Sequence, residues 1–292
     1  MAADRAARPY TTTADTDRRT GPESCPFCDG HEAETPPETA RTGPGDPDTP
    51  GWRVRVVPNL YPIVGTPDHG DATGAHEVII LSPDHDRDFS RLEPDQAVEA
   101  FTVLRDRARV HLADGRAYLI AFVNHRRAAG ASIEHPHAQL VAPDTPASAV
   151  IAMTERFTTD LIARETADAR RNGLVIVDGP AMAWCPWASW SPYLVRVAHR
   201  STRARFEEAT DAEIEVVVHA LQAALVRVTT VLGDVAYNLV VHSAPPAIHA
   251  GEMHWHVEVI PRTSVVAGFE LGSGIYANSV APEQAAAYLR GD

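Results

Sequence analysis

The sequence predicts an α+β fold in which two copies of one unit share a mostly antiparallel sheet with helices packed on it. The order strand–strand–helix–strand–strand occurs twice. Equivalent residues of the two copies are 119 positions apart, as in the pairs His135 and His254, His137 and His256, and Tyr118 and Tyr237. Such units bury the apolar face of a sheet beneath helices. The competing interpretation is chance similarity, because short apolar runs are ambiguous alone.

The first copy lies between residues 54 and 141. Apolar residues at helical spacing predict a helix of about twenty residues from Pro94; they are Ala97, Val98, Phe101, Leu104 and Ala108. Apolar runs predict four strands, at Val54–Val57, Val78–Ser82, Tyr118–Val123 and His135–Val141.

The second copy repeats this order after residue 181. Its predicted helix runs from about Asp211 to Leu232, with Asp211 as a plausible cap at its start. The predicted strands are Met182–Trp184, Tyr193–Val197, Tyr237–His242 and His254–Ile260.

The chain therefore divides into two expected halves, residues 1–145 and residues 146–292. Residues 143–181 would link the copies, partly as a helix over Ala147–Arg170. Residues 1–50 are rich in Pro, Thr, Asp and Gly, which predicts loops around a cysteine pair. We expect the N-terminal half to carry a metal site and a nucleophile.

The composition is that of a globular protein, with 44% apolar and 22% charged residues. The net charge of −13 disfavours binding to nucleic acid, but a few local arginines can still hold small phosphorylated ligands. We find no run of the ~20 apolar residues that a membrane span needs. The polar N-terminus does not resemble a secretory signal, so we expect a cytoplasmic protein.

The segment His135-Pro136-His137-Ala138-Gln139 is the strongest functional signal. On a strand, side chains two residues apart share a face, so two imidazoles and one amide would converge after the small residues Gly130-Ala131-Ser132. A neutral imidazole is a good nucleophile near pH 7. Ordinary strand histidines are the competing interpretation; two at this spacing favour a site in which His137 attacks phosphorus.

The amide of Gln139 helps to predict the reaction type, because an amide cannot act as an acid or a base. It hydrogen-bonds phosphate oxygens, but it neither donates a proton as a general acid nor activates water as a base. A third histidine at this position would suit hydrolysis, whereas glutamine suits transfer to a second acceptor.

Cys25 and Cys28 form a Cys-x-x-Cys pair that supplies half of a zinc site. His135 is a candidate third ligand, and His85 or His76 a candidate fourth. Four protein ligands would make the zinc structural. A redox role is weaker because no βαβ unit follows the pair, and three cysteines argue against a disulfide framework.

A second cluster is predicted from His242, His254, His256 and Glu258, with Glu155 nearby. Nitrogen and carboxylate ligands fit several divalent ions, such as iron or zinc. A polar scaffold without a metal is an equally good interpretation. Arg5 and Arg8, near the N-terminus, are by themselves typical of solvated terminal residues.

Together these segments resemble the galactose-1-phosphate uridylyltransferase family of the histidine-triad superfamily, almost from end to end. The matching pieces are Arg5–Pro9, Cys25–Cys28, Ser82–His85, Asn124, Gly130–Ser132, His135–Gln139, His242–Pro245 and His254–Pro261. The resemblance implies two histidine-triad-like halves and ping-pong nucleotidyl transfer through a nucleotidyl-histidine at His137.

The resemblance also implies roles for individual residues. Zinc would bind Cys25, Cys28, His85 and His135, and a second metal would bind Glu155, His242, His256 and Glu258. Gln139 and Ser132 would hold phosphate oxygens. Substrate binding is further expected from Asn59, Asn124 and Gly130, and from Arg5 and Arg8, which would reach a substrate bound mainly by the partner subunit of a homodimer.

The resemblance predicts an enzyme of galactose and carbohydrate metabolism whose substrates are a nucleotide sugar and a sugar 1-phosphate. The leading expectation is a UDP-glucose:hexose-1-phosphate uridylyltransferase. Two segments instead favour an ADP-sugar phosphorylase: Asn59-Leu60-Tyr61-Pro62 replaces the Asn-Asp-Phe often seen in uridylyltransferases, and Gly268–Gly274 looks more like the phosphorylase branch. A nucleotide hydrolase and a catalytically silent zinc-stabilised binding protein are the remaining alternatives.

Overall fold

The protein is described by a computed structural model over residues 21–69, 71–156, 161–201, 203–247 and 253–292. For residues 69, 153–156 and 161 only the backbone is described. Over these ranges one sheet contains ten strands in the order β1-β2-β3-β5-β4-β9-β10-β8-β7-β6. The strands are β1 Ala40–Arg41, β2 Arg55–Pro58, β3 Gly74–Ile80, β4 Ile120–His125, β5 His137–Pro143, β6 Val175–Val177, β7 Ala181–Trp184, β8 Val195–His199, β9 Tyr237–His242 and β10 His256–Pro261.

The predicted α+β fold is confirmed. Every pair of neighbouring strands within the sheet is antiparallel. The strand order is symmetric about the central β4–β9 pair, which places two similar sets of strands on either side. One apolar core runs beneath strands of both sets, so the division of the chain at residue 145 stays a prediction.

The described helices are α1 Pro94–Ala113, α2 Ser148–Arg156, α3 Leu161–Arg171, α4 Asp211–Leu232, α5 Gly268–Ser273 and α6 Pro282–Arg290. The bounds of α1 and α4 agree with the sequence prediction. The linker, for which one helix over Ala147–Arg170 was expected, contains α2 and α3. A short strand, β1, lies within the first 50 residues, where only loops were expected.

Helix α4 begins differently from the prediction. Thr210, not Asp211, is the cap: the Thr210 side chain accepts a hydrogen bond from the Glu213 backbone, and the Glu213 carboxylate accepts one from the Thr210 backbone. This reciprocal arrangement is a capping box. Asp211 instead forms an ion pair with Arg105 of α1 at 2.6 Å.

Helix α4 is also long and apolar enough to span a membrane by length and composition. Half of its most apolar window is buried within the protein, where α4 packs against α1, β7 and β8. This is the packing of a core helix, so we draw no membrane association from it.

The register of the strands defines one polar face of the sheet. Side chains of directly paired residues lie on the same face, and one row of such pairs crosses six strands: Val78, Gln139, Phe122, Val240, Glu258 and Arg196. Glu77, adjacent to Val78, contacts Arg107 of α1 at 2.7 Å. Helix α1 therefore covers the opposite face, and the row lies on the face that it leaves free.

Candidate active site and metal clusters

His137 is the first residue of β5 and lines a cavity of about 280 Å³. Its Nδ1 lies 2.8 Å from the carbonyl oxygen of His135. Because a carbonyl only accepts, Nδ1 carries the hydrogen and Nε2 keeps a lone pair. Burial lowers the pKa of His137 below its usual value. The ring is therefore neutral at pH 7, with one nitrogen available for nucleophilic attack.

The cavity also contains the other described residues for which a substrate contact is predicted, namely Asn59, Asn124, Gly130, Ser132 and Gln139. Their roles stay predictions, but the structure brings all of them together around His137. Arg5 and Arg8 lie outside the described residues. Among the described residues that line the cavity, Glu34 alone has a carboxylate or other permanently charged side chain, and it is exposed.

One wall of the cavity is apolar. The side chains that form it are Pro26, Phe27, Val57, Leu60, Tyr61, Ile63, Val78, Phe122 and Ile133. Leu60 is 59% exposed. An apolar wall next to oriented polar groups is typical of a small-ligand site. Leu60 was singled out in the sequence, and Pro26, Phe27 and Tyr61 lie in segments quoted there. The remaining wall residues carried no motif.

The segment between His135 and His137 determines which way each ring lies. β5 begins only at His137, so His135 precedes the strand. The backbone N–H of Leu81 donates to the Pro136 carbonyl at 3.1 Å, which extends the pairing of β3 and β5 by one residue. His137 and Gln139 line the cavity, while the His135 ring lies with the cysteines. The expected convergence of all three side chains therefore holds only for His137 and Gln139.

The first group of candidate metal ligands consists of Cys25, Cys28, His85 and His135, whose candidate ligand atoms lie within 4.8 Å of one another. Cys28 Sγ is 3.3 Å from His85 Nδ1 and 3.5 Å from His135 Nδ1. His76, the alternative fourth ligand, lies elsewhere: its ring contacts Gln139 at 3.0 Å.

The chemistry of this cluster fits a metal ion. His135 Nε2 lies 2.7 Å from the Ser82 carbonyl oxygen, to which it must donate, so Nδ1 keeps its lone pair toward the cysteines. Burial raises the pKa of both thiols, to about 12 for Cys28, where the nearby Cys25 adds to the effect. A bound cation would offset this by stabilising the thiolates. Two thiols and two imidazoles are a tetrahedral zinc donor set.

The second cluster contains His242, His256 and Glu258. The rings of His242 and His256 are stacked with centroids 4.7 Å apart, and His242 Nε2 is 3.3 Å from Glu258 Oε2. Nothing is described of the Glu155 side chain. Arg196, which the sequence did not indicate, places Nη2 2.7 Å from Glu258 Oε1 and also pairs with Glu165 of α3.

A cation is thus already present beside the carboxylate of the second cluster. Burial alone would raise the pKa of Glu258, but the His242 contact and the charge of Arg196 hold it well below its usual range. The residues therefore fit an arginine-compensated cluster at least as well as a metal site. Three strand spacings separate Glu258 from Gln139, or about 14 Å, so this cluster does not touch a ligand at His137.

Comparison with known proteins assigns the chain to a family. The model of a family described as a domain of unknown function, DUF4921, matches residues 73–289. ADP-glucose phosphorylase from Arabidopsis thaliana is 28% identical over 296 residues, covering 92% of this chain and 82% of that protein.

Solved structures give the same picture. A crystal structure of an ADP-glucose phosphorylase from Arabidopsis thaliana with bound ADP-glucose has a TM-score of 0.84 and 26% identity, with 100% of this chain and 94% of that chain covered. A GalT-like protein from the same plant has a TM-score of 0.82 and 28% identity, covering 92% of each chain. A uridylyltransferase, at 24% identity and a TM-score of 0.80 over 97% and 93% of the two chains, shows the shared fold.

The fold and the resemblance found in the sequence thus agree. The matched range of the family model covers most of the chain, from β3 through α6. This protein belongs to the DUF4921 family and has the fold of the GalT-like proteins of the histidine-triad superfamily.

Proposed function

We propose that this protein is a nucleotidyltransferase that acts on nucleotide sugars through a covalent intermediate at His137, and that it is an ADP-sugar phosphorylase. The observation that carries the proposal is the His137 ring: its Nδ1–H is held by the His135 carbonyl at 2.8 Å, and it stands in a cavity beside Gln139. This is the protonation state and the position that a nucleophile requires.

The reaction proceeds in two displacements. Nε2 of His137 attacks the α-phosphorus of the nucleotide sugar; the N–P bond forms, the bond from phosphorus to the bridging oxygen breaks, and sugar 1-phosphate leaves. An oxygen of inorganic phosphate then attacks the same phosphorus, the N–P bond breaks, and the nucleoside diphosphate is released with His137 restored. Gln139 and Ser132 are proposed to hold the phosphate oxygens by hydrogen bonds.

Three observations favour the phosphorylase over the uridylyltransferase, which was the leading expectation from the sequence. The chain is similar over 92% of its length to a plant protein named ADP-glucose phosphorylase. Leu60 in the cavity replaces an acid that a uridylyltransferase could use for a nucleotide hydroxyl. The sequence of the segment Gly268–Gly274 also resembles the ADP-sugar phosphorylases more than the uridylyltransferases.

Uridylyl transfer to a sugar 1-phosphate is the second candidate. It would use the same first displacement and differ only in the base and in the acceptor. A uridylyltransferase mutant structure aligns with 25% identity and a TM-score of 0.79, which supports this candidate.

We further propose a structural zinc on Cys25, Cys28, His85 and His135. When bound, it would stabilise the segment that leads into the nucleophile strand. A homodimer, in which Arg5 and Arg8 reach the substrate of the partner subunit, and a cytoplasmic location complete the proposal.

The test is the intact-protein mass after mixing with ADP-glucose or UDP-glucose, without acceptor. A gain of one AMP with ADP-glucose, absent in His137→Ala, is expected, followed by release of ADP when inorganic phosphate is added. His219→Ala, which removes an exposed histidine of α4 outside the cavity, should retain the adduct. A gain of UMP alone would support the second candidate, and nucleoside monophosphate accumulating in water would indicate hydrolysis.

A further inference from the structure

The cavity presents an anionic ligand with amide groups whose orientation is determined by the protein. No lysine or arginine lines it among the described residues, so hydrogen-bond donors must meet the phosphates there. An amide attracts a phosphate only if its NH2 group, and not its oxygen, faces the ligand. Gln139 and Asn124 are the two amides at issue.

The Gln139 amide is oriented through His76 of β3. The backbone N–H of Ile63 donates to His76 Nδ1 at 3.1 Å. That ring nitrogen must therefore be unprotonated, so Nε2 carries the hydrogen and donates to Gln139 Oε1 at 3.0 Å. With its oxygen held by His76, Gln139 has its NH2 group left for the cavity.

Asn59 does not change this assignment. Its Oδ1 accepts from the Tyr61 backbone at 2.8 Å, which makes Nδ2 the atom 3.2 Å from His76 Nε2. A ring nitrogen that carries a hydrogen has no lone pair for a second donor. Asn59 Nδ2 therefore lies near His76 Nε2 without donating to it, and His76 Nε2 donates its hydrogen to Gln139.

The Asn124 amide is oriented in the same way through Asn238 of β9. Asn238 Nδ2 donates to the Ala129 carbonyl oxygen at 2.8 Å, and since a carbonyl only accepts, the nitrogen of this amide is identified. Its second hydrogen reaches Asn124 Oδ1, also at 2.8 Å. The NH2 group of Asn124 is left facing the Gly130 turn, where Gly130 has a φ of 94° and a Cβ would lie 3.6 Å from Asn124 Nδ2.

We propose that His76 and Asn238 are positioning residues, which hold the amides of Gln139 and Asn124 so that both present N–H donors to the phosphates of the bound nucleotide. The backbone N–H of Ile63 determines which ring nitrogen of His76 carries the hydrogen. The backbone carbonyl of Ala129 determines which atom of the Asn238 amide is the nitrogen. The inference rests on the proposed function, because it assigns these donors to the ligand of the same cavity.

The first test replaces His76 by asparagine and by glutamine, each of which keeps one of its two hydrogen bonds, to Ile63 or to Gln139. His76→Asn keeps an acceptor near the Nδ1 position for Ile63, and His76→Gln keeps a donor near the Nε2 position for Gln139. We expect His76→Asn to slow formation of the nucleotidyl-His137 adduct at saturating nucleotide sugar by about tenfold or more, whereas His76→Gln should remain close to the unsubstituted rate. Equal rates in the two variants would overturn the role of His76.

The second test removes the hydrogen bond that orients the Asn124 amide. Asn238→Asp cannot donate to Asn124, so the Asn124 oxygen is released to face the ligand, and we expect an adduct rate about tenfold lower. Asn278→Asp is the matched control: Asn278 Nδ2 also donates to a backbone carbonyl, that of Ser189 at 3.0 Å, outside the cavity. A similar loss in both variants would mean a general cost of the substitution and would contradict the inference.

Double variants separate positioning from structural support. In a Gln139→Ala background, His76→Asn should cause no further loss, and in an Asn124→Ala background Asn238→Asp should cause none. Multiplicative losses would overturn the inference.

ADP affinity, measured by calorimetry, distinguishes this inference from the proposed function. If the unsubstituted chain forms no adduct, the proposed function fails, yet lower ADP affinity in His76→Asn and Asn238→Asp still supports the amide assignment. Unchanged ADP affinity in both variants counts against the inference, and binding of neither ADP nor UDP by the unsubstituted chain overturns it.

Discussion

Arg196 Nη2 lies 2.7 Å from Oε1 of the buried Glu258, on the adjacent strand of the sheet. The arginine therefore supplies the positive charge that a metal ion would bring to the second cluster. The sequence indicated the carboxylate and its two histidines but not this partner.

Arg196→Leu should leave Glu258 buried without a cation and lower the free energy of unfolding by about 3–5 kcal/mol. Added Zn²⁺ should then raise the Tm of the variant more than that of the unsubstituted chain, because the ion replaces the lost charge. Arg200→Leu is the control, since Arg200 and its partner Asp178 are both about half exposed and such pairs contribute about 1 kcal/mol or less. Equal denaturation curves for Arg196→Leu and the unsubstituted chain would contradict the role of Arg196.

Cys28→Ser should abolish binding of about one zinc per chain, measured by elemental analysis, because a tetrahedral site loses a thiolate. We expect the free energy of unfolding to fall by about 4 kcal/mol or more, as on loss of a structural metal. Adduct formation should fall as well, since His135 joins the cluster to His137. Cys185→Ser, at a buried thiol outside the cluster, should retain its zinc; full zinc content in Cys28→Ser would exclude the proposed ligand set.

Gln139→Glu keeps the shape of the side chain but replaces the NH2 donor with an acceptor. A carboxylate repels phosphate oxygens, so the rate of adduct formation should fall by about 100-fold or more while Tm changes little. Stopped reactions followed by mass spectrometry measure this rate. Gln284→Glu, which adds the same charge at an exposed position of α6, should react normally; a fast Gln139→Glu variant would remove Gln139 from the phosphate site.

Glu77 should make the stability of the protein depend on acid pH. Burial alone would raise its pKa, but contacts with His111 and Arg107 outweigh burial and lower the pKa from 4.5 to about 2. A lowered pKa in the folded state stabilises the protein above pH 4.5, and this contribution is lost as the pH falls toward 2. The corresponding free energy is about 3 kcal/mol at neutral pH.

Glu77→Gln should therefore lower stability at pH 7 and flatten its decline between pH 4.5 and pH 2, as measured by urea denaturation. Glu99→Gln is the control because its partner Arg53 is about half exposed. A decline of unchanged steepness in Glu77→Gln would assign the acid sensitivity to other groups.

Much of this architecture could be predicted from the sequence because it depends on local pattern. The bounds of α4 and β9 follow directly from apolar spacing. The prediction of Asp211 as the cap of α4 was wrong. The sequence did carry the signal for the observed cap, because Thr210-x-x-Glu213 is the signature of a capping box.

Residues that act across strands could not be predicted in this way. His76 meets Gln139, and Arg196 meets Glu258, only through strand register, which brings together positions about sixty residues apart in sequence. Asn238 reaches Asn124 across the central strand pair for the same reason. The motif around His137 predicted the centre of the candidate site, and the sheet determines what surrounds it.

Pro136 has a consequence for the accuracy of assembly. Side chains alternate along β5, so a slip of one residue against β3 would exchange the surroundings of His137 with those of Ala138, which is fully buried in the core. Proline lacks a ladder donor, and its neighbour His135 is held at Ser82 and among the cysteines. The contacts of His135 and the missing donor of Pro136 thus favour one alignment of β5 against β3, and a metal ion held by the proposed ligands would favour the same alignment.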